Sequence, residues 1–109
     1  MTPNKAVKDV GGTDEFRTYF ESLSDTNSLK KELREAFMIL KEDCLSGQKI
    51  QYNRWPAAYV RKYKINNLWR YALQSSWRLI YTIIGDSDGL IVSVLEVFSH
   101  KDYEKRFEY

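Results

Sequence analysis

The hydrophobic period of this chain changes once, and that change constrains the fold more than any other feature. Up to Cys44 the apolar residues recur at helical spacing. From Leu68 to Phe98 they alternate or run continuously, as strand residues do. Phe16, Tyr19, Phe20 and Leu23 stand at i, i+3, i+4, i+7 behind Thr13, a good N-cap, with Asp14 and Glu15 in the first turn. This helix is expected to stop near Ser24. Asp25-Thr26-Asn27-Ser28 starts a second helix, whose stripe is Leu29, Leu33, Ala36, Phe37, Leu40 and Cys44, with Gly47 as its expected C-cap. The two form a helical hairpin. Pro56 opens a loop or a short helix through Tyr63.

Three strands follow, at 68–73, 77–84 and 90–98. Short turns at Gln74-Ser75-Ser76 and at 85–89 join them as an antiparallel meander. The second and third are apolar on both faces, so both faces need cover, and the helical hairpin is the cover in view. Ser99 caps a last helix. Asp102 sits at N3, and Phe98 and Tyr103 stand at the two ends of a hydrophobic staple. Residues 1–12 show no periodicity and read as an arm or a weak edge strand, with Lys5–Val10 as its only candidate. Residues 13–109 read as one domain, since 109 residues support one modest core.

Composition narrows the chemistry. One cysteine, Cys44, excludes an intramolecular disulfide and suggests a cytoplasmic setting. One cysteine and one histidine cannot supply the roughly four ligands of a structural zinc site, so no metal and no cofactor is expected. No apolar run is long enough to span a membrane. The net charge of +2 hides an asymmetry. Between Cys44 and Gly85 there is no acidic residue, but there are seven basic ones, all three tryptophans and five of the eight tyrosines. Such a window suits a polyanion, because phosphates attract cations and bases stack on flat rings. The plainer reading is a cationic surface balanced from elsewhere in the fold.

Three local patterns carry a resemblance: N-L-W-R-Y-A-L at 67–73, W-R-L-I-Y-T-I at 77–83 and H-K-D-Y at 100–103. Over residues 26–109 the chain resembles the RelE/ParE superfamily of toxins from type II toxin–antitoxin systems, and within it an archaeal RelE-like branch. The resemblance implies an α+β fold, a helical hairpin packed on a twisted antiparallel sheet, the RelE-like microbial RNase fold. It implies a metal-independent endoribonuclease that cuts mRNA, usually on the ribosome, by attack of a 2′-hydroxyl on the phosphodiester. It also implies a cognate antitoxin as partner. The alternatives are a ParE-like poison of DNA gyrase and a non-catalytic relative that binds RNA or protein.

On that resemblance Arg78 matches the arginine of the family's R-L-x-Y strand and would grip phosphate oxygens with its guanidinium fork. The alternative for it is a salt bridge to Glu96. Arg70 would be its near cross-strand neighbour in a 70–78 pairing, and two cations so placed need an anion or a carboxylate between them. Glu96 is read as the partner of one of these arginines. His100, the one imidazole of the chain, is the general acid–base candidate, and its alternative is a plain helix-start residue. Tyr103 would donate a proton or stack a base, against its staple reading. Tyr109 could also reach the site. Arg61, Lys62, Lys64, Lys101 and Lys105 form the expected RNA-binding rim, with a solvated face as the alternative. Trp69 and Trp77 alternate with the arginines and should face the other way, into the core or an antitoxin contact.

Overall fold

The computed structural model describes residues 6–107, which leaves Tyr109 outside the described part. Strand β1 (Asp9–Gly12) leads into helix α1 (Asp14–Ser22) and helix α2 (Ser28–Glu42). A two-residue strand β2 (Gln48–Lys49), a single 3₁₀ turn (Tyr52–Arg54) and helix α3 (Ala57–Tyr63) follow. Strands β3 (Trp69–Ala72), β4 (Arg78–Asp86) and β5 (Gly89–Phe98) then lead to helix α4 (His100–Phe107). The sheet has five strands in the order β1-β5-β4-β3-β2. It is mixed: β1 runs parallel to β5, with Asp9 opposite Ile91 and Gly12 opposite Val94, and every other pair is antiparallel.

The helix starts follow from their caps. Thr13 Oγ1 accepts from the amide of Phe16 at 3.1 Å. Asn27 Oδ1 accepts from the amides of Leu29 and Lys30 at 2.8 and 3.3 Å. Each takes up otherwise unpaired donors of the first turn. Helix α2 ends earlier than its stripe suggests. Asp43 is its C-cap, and the Asp43 carboxylate then accepts from the amide of Leu45 at 3.1 Å, so a local turn replaces the last helical turn. Gly47 is therefore not a helix cap. A Cβ there would stand 2.5 Å from Tyr81 Oη and 2.6 Å from the Arg70 carbonyl oxygen, and close packing demands the glycine.

Each face of the sheet has its own apolar cluster. On one, α1 and α2 bring Phe16, Leu33, Ala36 and Leu40 onto Leu79, Tyr81, Val92 and Val94. On the other, Tyr59 of α3 and Tyr103 and Phe107 of α4 pack on Leu68, Ile80 and Leu95. The hairpin thus covers one face only, and α3 and α4 cover the second. Leu79 and Ile80 are successive residues buried on opposite faces, each worth about 1.5–3 kcal/mol of transfer free energy. Trp69 and Trp77 pack against the first cluster, on the side opposite the arginines they alternate with.

Two pairings depart from the sequence reading. Arg78 stands opposite Ala72, and Arg70 opposite Ile80, so the arginines are diagonal neighbours rather than direct partners. The tight turn sets this register: the amide of Leu73 donates to the Trp77 carbonyl at 2.9 Å, and Ser76 takes a positive φ of 67°. Glu96 pairs with neither arginine. A register shift at Ile80/Tyr81 leaves Leu95 as the extra residue of β5, and the Glu96 carboxylate meets Arg106 at 3.0 Å and the Tyr59 hydroxyl, which donates to it. Burial and that carboxylate push the Tyr59 hydroxyl well above the usual phenol range.

Candidate functional site

Three separate stretches of chain meet at one end of the sheet, on the face covered by α3 and α4. Strand β3 supplies Arg70 and Ala72. The first residue of β4, Arg78, stands across from Ala72, whose small side chain leaves room between the two arginines. Helix α4 begins one residue after β5 and brings His100, Tyr103 and Glu104 to the same place. The loop through Ser46 and Gly47 to Gln48 forms the remaining wall. The result is an open cleft of about 590 Å³, lined among others by Arg70, Arg78, His100 and Tyr103.

The wall is held from behind. Tyr81, buried in the first cluster, donates its hydroxyl to the Cys44 carbonyl at 2.8 Å and accepts from the amide of Gly47 at 3.2 Å. Burial raises the Tyr81 hydroxyl above its ordinary range, so it stays a neutral donor. Gln48 then reaches into the cleft, where its side-chain oxygen accepts from Arg70 Nε at 2.8 Å. Arg70 Nη1 donates to Tyr103 Oη at 2.9 Å, and its guanidinium lies 5.7 Å from the centre of the Tyr103 ring. Arg70 is thereby fixed from two sides. Arg78 differs: its guanidinium donates to the carbonyl of its neighbour Trp77 at 3.2 Å, and among the described residues no carboxylate lies within ion-pair distance of it. A cation so placed keeps its fork available to an arriving anion.

The two readings of His100 coexist. Ser99 caps α4, with its hydroxyl accepting from the Asp102 amide at 3.3 Å and its carbonyl from the Tyr103 amide at 2.8 Å. His100, the first residue of that helix, still leaves its side chain 55% exposed at the cleft, with Nε2 2.8 Å from Glu104 Oε1 one turn on. Tyr103 is 2% exposed and stacks on Phe107 at 4.6 Å, while its hydroxyl reaches the cleft wall. It is a core residue with a polar tip at the site.

The expected basic rim does not line the cleft. Arg61 and Lys62 lie on α3, and Lys64 is its left-handed C-cap at φ 51°. Lys62 pairs with Glu15 of α1 at 2.6 Å, and that carboxylate raises the lysine's pKa. Lys101 and Lys105 are exposed on the outer side of α4. Glu104 and Gln48 were not foreseen. Glu104 was legible as the i+4 neighbour of His100, whereas nothing in the sequence marks Gln48.

Among the described residues no group of three or more His, Cys, Asp or Glu side chains could hold a metal ion, and no helix is long and apolar enough to cross a membrane. The cleft can bind an anion at its guanidinium groups and exchange a proton through an accessible imidazole.

Residues 4–103 match the family described as the ParE toxin of type II toxin-antitoxin system, parDE. That span includes every cleft residue named above except Glu104. The match reaches the superfamily expected from the sequence, and it does not single out an archaeal RelE-like branch. No curated protein and no solved structure matches the chain.

Proposed function

Because this chain belongs to the ParE toxin family of type II toxin–antitoxin systems, for which a cognate antitoxin is the implied partner, we propose that it is a toxin acting as a metal-independent endoribonuclease on mRNA. One observation carries the reading: Arg70, Arg78, His100 and Tyr103 come from three separate stretches of chain and share one cleft. That is a parts list for transesterification of RNA.

In this mechanism the scissile phosphate lies between the arginines. Arg78 takes a non-bridging oxygen with its fork, and Arg70 steadies the charge that grows on the phosphorus oxygens in the transition state. His100, oriented by Glu104, removes the proton of the 2′-hydroxyl. The 2′-oxygen attacks phosphorus, and the bond to the 5′-oxygen breaks. Tyr103, whose hydroxyl meets Arg70, hands that oxygen a proton. The products are a 2′,3′-cyclic phosphate and a free 5′-hydroxyl. No step involves the rim lysines, which contribute long-range attraction for RNA.

The family match itself favours a second reading, a toxin that poisons DNA gyrase without nuclease chemistry. Induced expression separates the two. Under the RNase reading, wild type arrests growth and primer extension on total RNA finds new 5′ ends. Arg78→Ala and His100→Ala each lose both effects while the protein stays folded. Arrest that survives in both variants without new 5′ ends moves the assignment to gyrase.

A further inference from the structure

Outside the cleft, Lys49, Tyr52, Arg54 and Trp55 of the acid-free window lie in β2 and the turn that follows it. Tyr52, in the 3₁₀ turn, is 73% exposed, the most exposed of the described aromatic residues. A ring left in water usually has no fixed orientation, but this one does. Trp55 lies against it with ring centres 4.9 Å apart. Trp55 is fixed in turn, since its Nε1 donates to the Ile50 carbonyl at 2.9 Å and its ring packs on the second apolar cluster. The turn therefore presents an aromatic face that is both supported and wet. Lys49 and Arg54 are exposed beside it in sequence. The chain from Cys44 to Gly85, which carries these residues, has no acidic residue of its own.

Tyr52 is also close in sequence to the cleft wall. Gln48 lines the cleft and holds Arg70. Tyr52 follows four residues later, so the two backbone positions are at most roughly 14 Å apart. A single strand leaving the cleft covers that distance in a few nucleotides. Stacking of a base on an aromatic ring needs no particular base, since every base has a π face.

We infer that Tyr52 is a stacking platform for a base of single-stranded RNA flanking the scissile phosphate, with Lys49 and Arg54 drawing the adjacent phosphates. This rests on the RNase reading above and adds a subsite to it. Tyr52 touches neither the reacting atoms nor the arginines, so it acts on binding rather than on the chemical step.

The test uses His100→Ala protein, which leaves RNA intact, and a short labelled oligoribonucleotide followed by fluorescence anisotropy. Adding Tyr52→Ala should weaken binding by about tenfold, the order of one lost base stack. Tyr52→Phe and Tyr52→Trp should restore it. Tyr52→Leu, with bulk but no π face, should not. In the otherwise wild-type protein Tyr52→Ala should raise KM for cleavage with little change in kcat, and unfold at the same temperature. Equal affinity for Tyr52→Ala and its parent, in a protein that does cleave RNA, would overturn the platform and leave the RNase reading standing. Restoration by leucine would also overturn it, by reducing the ring to bulk. A wild-type protein that neither binds nor cleaves RNA would overturn both.

Discussion

Removing one buried hydroxyl should both destabilise the fold and loosen the cleft. Tyr81→Phe deletes the oxygen that joins the Cys44 carbonyl to the Gly47 amide. The ring stays and fills the same space, so no large cavity opens. What is lost is two hydrogen bonds worth about 1 kcal/mol each, plus the desolvation of any group left unpaired, for a total of about 2–3 kcal/mol. In a chain of this length that lowers the melting temperature by roughly 10–20 °C. It lowers the urea midpoint by about 1–2 M at an unchanged m-value. The proper control is Tyr52→Phe, which removes a hydroxyl from an exposed ring and should leave both midpoints in place. The Gly47 segment carries Gln48, and Gln48 holds Arg70, so folded Tyr81→Phe should also bind RNA less tightly. A melting temperature within about 2 °C of wild type would refute the reasoning, because it would mean that water or backbone relaxation replaces the hydroxyl at no cost.

Two further outcomes follow from the same geometry. Tyr59 and Tyr81 both have folded-state pKa values above the phenol's ordinary value. At high pH the folded state then binds more protons than the unfolded one, so stability is fully present below about pH 10 and falls above it, by up to ~1.4 kcal/mol per pH unit for each tyrosine. Urea midpoints at about pH 9 and about pH 11 measure this directly, and the loss should shrink in Tyr81→Phe; an equal loss in that variant would remove Tyr81 as a cause. Glu104→Gln takes a negative charge out of the proposed anion site and leaves only a neutral amide oxygen to accept from His100. RNA should bind more tightly while kcat falls, and a variant with both quantities unchanged would exclude Glu104 from the site.

The legible parts of this molecule are those in which local chemistry and tertiary structure agree. The α1 and α2 stripes, their Thr13 and Asn27 caps and the hairpins flanking β4 depend on neighbours within a turn or a strand length, and spacing reports them. Arg70, Arg78 and His100 entered as site candidates through the resemblance carried by their local patterns, and one cleft is lined by all three. The parallel pairing of β1 with β5 was not legible. It joins Asp9 to Ile91, and a four-residue stretch ending in two glycines gives no alternation to announce it. The partner of Glu96 was missed for a related reason. One extra residue at Leu95 changes what faces what, and bulges leave no composition signal. The cover on the second face was hidden because α3 and α4 are short, seven and eight residues, and too brief to show a full apolar stripe.

The position of α4 has a consequence for the cell that makes this protein. Everything that His100, Tyr103 and Glu104 contribute is translated after the whole sheet, and β1, made first, cannot pair until β5 exists. Long-range pairings of this kind form late, because the loop between them must close before any contact rewards it. A nascent chain halted between residues 78 and 100 has Arg70 and Arg78 but not His100. Under the RNase reading, a message interrupted near its 3′ end then yields a fragment without the proposed base, and activity begins only when the last helix docks. An inhibitor synthesised in step with this chain therefore has until that moment to arrive.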